Sequence, residues 1–286
     1  MTKSKIIILG RRGFLGSCLY ENFSKDGEYE VVGLSSADLD LTSEEAIPKL
    51  VGISGQNAVM IMAASALNKE KSYGAFWKEI AMFNNLANPE LLGHVKHFIL
   101  VSSTAIYGHH SDVPIVESSP VNPVDIYGAA KLIGEIIFKT ACENLKVKLT
   151  IVRPGILYGR GDRKSPLFRF INNVYSGRPI EIYGDDSTRL VWLHREDAWR
   201  AIRLIVDEEK TGDYNIITND DGTSLKDLAE LAFKVCNRMT GIKVIKSPKI
   251  SYHLKFDLSK FLNDFPGFEF TRFENGAMEY HNINRV

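Results

Sequence analysis

Lys5-Ile6-Ile7-Ile8-Leu9-Gly10-Arg11-Arg12-Gly13-Phe14-Leu15-Gly16 is the stretch that decides the fold. Lys5–Leu9 is a short, continuous, β-branched run, the mark of a parallel strand buried on both faces. Glycines follow at once at positions 10, 13 and 16, and from Ser17 to Phe23 the apolar residues return at helical spacing. Strand, glycine turn and helix, in that order, is the context that a dinucleotide fingerprint requires. Gly10 permits the tight turn, Gly13 lets the backbone approach a pyrophosphate, and Gly16 lets the helix lie close on the strand. The amides at the helix N-terminus would then hold the phosphates. A strand–turn–helix that binds nothing has the same outline; three correctly spaced glycines favour the binding reading.

The alternation continues outward from there. Strands are expected at Tyr29–Leu34, Ala58–Met62, His97–Val101, Lys148–Val152 and Tyr214–Thr218, with helices around Ser43–Val51, Tyr73–Leu92, Tyr127–Asn144 and Asp197–Val206. Repeated β–α units with apolar strands predict an α/β chain, a Rossmann doubly wound parallel sheet with right-handed crossovers. No linker-like boundary appears, so a smaller C-terminal α+β substrate lobe is expected from segments that leave and rejoin the sheet. The expected limits are 1–160 plus about 191–219 for the dinucleotide-binding domain, and about 161–190 with 220–286 for the lobe.

A second stretch carries chemistry. Phe98-Ile99-Leu100-Val101 runs into Ser102-Ser103-Thr104-Ala105-Ile106-Tyr107-Gly108, and Tyr127-Gly128-Ala129-Ala130-Lys131 follows. The apolar run would deliver a serine to a sheet edge. Pro120 and Pro123 keep the connection extended, and Asp125 can cap the helix that begins near Tyr127. Tyr127 and Lys131, four residues apart, share a helix face. A phenol is a poor acid or base at neutral pH, an adjacent ammonium favours its phenolate, and a hydroxyl can hold the oxygen whose proton is moved. Tyr-x-x-x-Lys alone is a weak signal; the glycine loop upstream makes it specific.

Composition narrows the class. The 286 residues are 44% hydrophobic and carry 35 basic and 35 acidic side chains, so no charge excess argues for nucleic acid or a membrane surface. Cys18, Cys142 and Cys236 are scattered and odd in number, which suits reduced thiols in a cytoplasmic protein. The apolar run at Ile6–Leu9 is too short for a signal or a membrane span. No His, Asp or Glu cluster has metal-ligand spacing, so no metal is expected. His94 and His97 read as structural, and His109-His110 as surface residues.

With the glycine loop, Ser103 and Tyr127-x-x-x-Lys131 in order, the chain resembles the extended short-chain dehydrogenase/reductase family, and within it the sugar-nucleotide epimerases, dehydratases and ketoreductases. Arg153-Pro154-Gly155-Ile156-Leu157-Tyr158-Gly159, Pro179 to Asp185, Arg189 to Asp197 and Asp257-Leu258-Ser259-Lys260 carry the likeness over nearly the whole length. The resemblance implies Tyr127 as general acid/base, Lys131 as ribose ligand that lowers the tyrosine's pKa, and Ser103 as holder of the reacting oxygen. Ser103 lies four residues before Tyr107, the family's usual spacing, with Ser102 its competitor. It also implies cofactor contacts at Gly10, Arg12, Gly13, Phe14, Leu15, Gly16, Ser35, Asp40, Leu41, Ala63 and Ala64. Substrate contacts are implied at Ser65, Thr104 and Arg189, the last on a nucleotide-diphosphate sugar. Trp77, Phe76 and Phe83 fall on a helix that in this family often joins a homodimer interface, and an ordinary core explains them nearly as well.

Two departures narrow the reaction. Members that eliminate water carry Asp-Glu directly after the catalytic hydroxyl, where this chain has Thr104 and Ala105. Many relatives place an asparagine at Ile156, and isoleucine cannot donate that hydrogen bond to a diphosphate. For the cofactor, strand two ends Gly33-Leu34-Ser35-Ser36 with no acid until Asp38, and Arg12, with Arg11 beside it, offers guanidinium donors. That predicts NADP(H), with NAD(H) the alternative. The leading expectation is an NADPH-dependent reductase of a nucleotide-linked 4-keto-(6-deoxy)sugar. An NAD-dependent nucleotide-sugar epimerase is the first rival, and a cofactor-binding regulator without catalysis the second.

Overall fold

The computed structural model describes residues 3–68, 70–109, 114–184, 188–218, 222–245 and 254–281. Five parallel strands, β1 (Lys5–Leu9), β2 (Glu30–Leu34), β3 (Ala58–Met62), β4 (Val95–Val101) and β5 (Lys148–Pro154), make the body of a six-stranded sheet. Its order is β2-β1-β3-β4-β5, with the strand Gly212–Ile216 beyond β5. Helices α1 (Phe14–Asp26), α2 (Ala46–Ser54), α3 (Tyr73–Leu86), α4 (Pro89–Leu92) and α5 (Ile126–Leu145) lie between the strands in sequence.

Strand alternation explains the burial. Ile7, Leu9, Met60, Met62, Phe98 and Leu100, every second residue, share one apolar cluster with Leu50 of α2, Phe83 of α3 and Phe138 of α5. The alternate residues Ile6, Ile8, Val59, Ile61 and Ile99 are equally buried. Both faces of the sheet are therefore covered, as continuous apolar strands require. The strand order reverses between β1 and β3, which places the ends of those two strands at the switch point of the sheet.

One expected helix is two. The run Tyr73–Leu92 breaks after Leu86, because Pro89 lacks the amide that a helix interior needs and drives the residue before it out of the helical region. Asn88 restarts the chain as the cap of α4, accepting from the Glu90 amide at 2.8 Å.

By internal packing the chain forms two compact units, 1–108 with 120–153 and 199–214, and 109–119 with 154–198 and 215–286. The second packs the helix Pro166–Tyr175 through Leu167, Phe170 and Val174 against Leu228, Ala232 and Val235 of the helix Leu225–Cys236. Its strands pair two by two, Ile180–Tyr183 with Ile242–Ile245, Arg189–Leu190 with Thr223–Ser224, and Ile156–Tyr158 with Trp192–His194. Among the described residues no helix is long and apolar enough to cross a membrane.

Candidate active site

The glycine turn is built by close approach. Gly10 has φ +97°, and a Cβ there would lie 2.7 Å from the backbone of Ala64. The turn after β1 thus sits directly against the Ala63-Ala64 segment leaving β3, where the Ala63 amide donates to Leu9 O at 3.0 Å. A Cβ on Gly16 would stand 2.1 Å from Gly10 O, so only glycine lets α1 start this near the turn. Ser17 N closes the first helical bond on Gly13 O, leaving the Leu15 and Gly16 amides ahead of it without an intrahelical acceptor. Gly13 is exposed. An open turn of glycine backbone at a helix N-terminus fits a dinucleotide's pyrophosphate.

At the end of β2 the structure supplies an acid that the strand itself lacks. Asp38 folds back so that its Oδ2 accepts from Ser35 N at 2.9 Å and from Ser35 Oγ at 2.6 Å. These Ser35 hydrogen bonds, with Arg11 and Arg12 nearby, hold the Asp38 carboxyl below its usual range. Arg11 Nε stands 3.5 Å from the same oxygen, and its guanidinium lies over the Tyr20 ring. Ser35, expected as a cofactor contact, is buried and has its hydroxyl committed to Asp38. Asp38 Oδ1 makes no hydrogen bond among the described residues. Arg12 is exposed. Asp40 binds its own turn through Thr42, which lowers its pKa, and Leu41 is a core residue whose carbonyl accepts from Asn85.

Two adjacent serines have opposite surroundings. Ser102 is buried and donates to Glu135 Oε1 at 2.5 Å. Glu135 is itself bidentate to Arg153, at 3.0 and 2.7 Å, and Arg153 continues to Tyr107 Oη and Asp213. Ser102 is therefore a member of a buried ion network. Ser103 is extended, half-buried, and accepts from the Ala105 amide at 3.1 Å at the head of the short turn Thr104–Tyr107. Thr104 is nearly buried in that turn.

Asp125 caps α5 by accepting from Gly128 N at 2.8 Å. The helix then packs on the serine turn so closely that a Cβ on Gly128 would fall 2.6 Å from Ala105 O. That contact brings the start of Tyr127's helix to Ser103's turn. Tyr127 packs with Leu67, Ala75 and Ala130, and Lys131 Nζ lies 5.7 Å from its ring centre. Lys131 is buried and forms an ion pair with Glu79 of α3 at 3.0 Å. Burial opposes the ammonium, but Glu79 outweighs it, with Tyr127 adding to the same side, so the Lys131 pKa is raised. Lys71, exposed and paired with Asp125, approaches the Tyr127 ring at 5.6 Å.

Glu79 went unnoticed in the sequence although a signal was there. It lies four residues after Ala75 and four before Phe83, on the buried stripe of α3, where a lone carboxylate needs a partner. Phe83 belongs to the core and Trp77 to the surface, so the two separate. Ser65 accepts from Asn68 N within its loop. Arg189, in the second unit, donates to Gly222 O at 2.8 Å. His110 and Asp185 lie outside the described residues.

The model of the NAD dependent epimerase/dehydratase family matches residues 6–217. A dTDP-glucose 4,6-dehydratase of Streptomyces niveus is 27% identical over 69% of this chain and 59% of its own length. The chain spans about three fifths of the length of the first curated relatives it matches. Among solved structures, a UDP-glucose 4-epimerase of Thermus thermophilus in complex with NAD superposes with a TM-score of 0.86 at 18% identity, over 99% of this chain and 100% of that one. A UDP-glucose 4-epimerase of Thermotoga maritima with UDP-glucose gives 0.84 at 21% identity, with 98% of each chain covered. At these identities the superpositions speak for the fold.

Proposed function

Because the chain belongs to the NAD dependent epimerase/dehydratase family, we propose that it moves a hydride reversibly at a ring carbon of a nucleotide-diphosphate sugar, with Tyr127 carrying the proton. The nicotinamide dinucleotide supplies the hydride acceptor and donor when bound. The glycine turn, Ala63-Ala64 and Lys131 would hold it, and the first unit is read as its domain. Ser103 keeps the reacting oxygen in place while Tyr127 takes the hydroxyl proton or returns it. In the second unit, Arg189 is the expected diphosphate ligand, a charge-assisted contact of about 1.5–3 kcal/mol. Thr104 and Ala105 stand where dehydration would need two carboxyl groups, which argues against water elimination.

The observation that orders the remaining readings is Asp38. An ionised carboxylate at the end of β2, with Oδ1 open, suits a free ribose 2′-hydroxyl and repels a 2′-phosphate. That supports NAD and an epimerase cycle, in which the hydride removed is returned to the same carbon. The NADPH-dependent ketoreductase rests on Arg12, the exposed guanidinium of the turn. One experiment separates them: both cofactors are titrated onto the apoprotein, which is then incubated with UDP-glucose and with a nucleotide-linked 4-keto-6-deoxysugar. The epimerase reading expects tighter NAD and a C4 epimer formed without net NADH. Tighter NADPH and stoichiometric NADPH oxidation on the ketosugar would replace it with the reductase. A folded Tyr127→Phe variant should lose about 10²–10⁴-fold in turnover, and near-normal turnover would refute both.

A further inference from the structure

Glu79 is a fully buried charge that the scheme above does not use. Its two oxygens are divided between two elements. Oε1 accepts from Lys131 Nζ at 3.0 Å, and Oε2 accepts from Ala66 N at 2.5 Å and from Leu67 N at 3.4 Å. Those amides belong to the loop that leaves β3 through Ala63-Ala64-Ser65, the segment packed against Gly10. One carboxylate thus joins the catalytic helix to the loop beside the glycine turn.

The groups facing Lys131 are few. α3 contributes Glu79 and the Phe83 ring at 5.7 Å, α5 contributes Tyr127, and β4 contributes Val101 O at 3.4 Å. Lys71, paired with Asp125, approaches the Tyr127 ring at 5.6 Å. An ammonium has three donors. Glu79 takes one and Val101 O a second, so the direction of the third N–H is fixed. Without Glu79, no carboxylate among the described residues would remain beside this buried amine, and burial alone drives such amines neutral.

We propose that Glu79 is a positioning residue that keeps Lys131 an ammonium and aims its free N–H, so that one side chain sets both the charge and the direction of the cofactor-binding lysine. This rests on the reading of Lys131 given under the proposed function, and the test keeps the two apart. In apoprotein with isotope-labelled lysine side chains, the Lys131 resonance, assigned through Lys131→Met, is followed by NMR against pH. NAD affinity is measured by calorimetry on the same samples. Wild-type Lys131 stays charged through neutral pH; a Lys131 found neutral there overturns the proposal with no variant needed. In Glu79→Gln, Lys131 loses its proton within the neutral range and NAD binds about ten- to hundredfold more weakly above that midpoint. Glu79→Asp, which keeps the charge, restores the ammonium. A Glu79→Gln protein with Lys131 still charged and NAD affinity unchanged refutes the role of Glu79. Unchanged NAD affinity in Lys131→Met instead refutes the role of Lys131, and with it the functional reading.

Discussion

At the scale of the residue, His97 shows how a buried polar group couples stability to pH. It is fully buried on β4, where Thr150 Oγ1, which donates onward to Lys210 O, accepts from His97 Nε2 at 2.8 Å. That fixes the proton on Nε2, and Nδ1 is buried without a partner among the described residues. Burial first, then Lys148 and Lys96 against the opposing Glu209, push the imidazole from 6.5 down to about 4. The unfolded chain therefore binds a proton that the folded chain refuses between those values. The stabilisation is fully present above about pH 6.5 and is lost as pH falls toward 4, by at most about 3 kcal/mol. Urea titrations across that window should show the loss in wild type and a flatter dependence in His97→Gln; equal slopes would dismiss His97 as the source. Its structural role was legible in the sequence, but not its tautomer, because Thr150 is 53 residues away. Ser102 and Ser103 teach the same lesson: spacing favoured Ser103, while the Glu135 that occupies Ser102 is 33 residues downstream.

At the scale of the element, periodic apolar patterns were legible and the pairing of helix faces was not. The strands fall within about two residues of their expected ends, since β-branched runs and glycines mark them locally. In the sequence Asp38 reads as too far past β2, and Glu79 goes unconsidered. The contact of one comes from a fold-back onto Ser35 and that of the other from a neighbouring helix, and linear spacing reveals neither. Two helical glycines make the difference measurable. Gly52 of α2 has open space where a Cβ would go, so Gly52→Ala should gain about 0.5–1 kcal/mol from backbone entropy. Gly134 of α5 is equally helical, but a Cβ there would lie 2.7 Å from the Phe83 ring. That ring is fully buried and packed against Phe138 at 6.0 Å, so it cannot give way. Overpacking at about 1–3 kcal/mol exceeds the propensity gain, and Gly134→Ala should be net destabilising. Denaturant unfolding of the two variants should give opposite signs; a stabilised Gly134→Ala would mean that α3 and α5 can separate at no cost, and with them Glu79 and Lys131.

At the scale of the whole molecule, the formal net charge is zero, so no long-range repulsion keeps copies apart. The outer faces of α3 and α5 carry large apolar side chains among polar ones such as Lys78 and Lys139: Trp77 is 53% exposed and Ile136 57%. Ile136, Ile137, Thr140 and Leu145 line a shallow groove with Ala87 and Pro89. Large apolar side chains exposed on two helices that pack together suit an association face, and a second copy of the same chain would bury them through a two-fold axis. We therefore expect a homodimer joined through α3 and α5. Sedimentation velocity at micromolar concentration should show a dimer for wild type and a monomer for Ile136→Lys, because a lysine there would be stripped of water at the interface. The substitution opens no cavity in the protomer, so the monomer's unfolding midpoint at high dilution should match that of wild type. A monomeric wild type, or a variant that sediments as the wild-type dimer does, would remove these faces from any role in assembly.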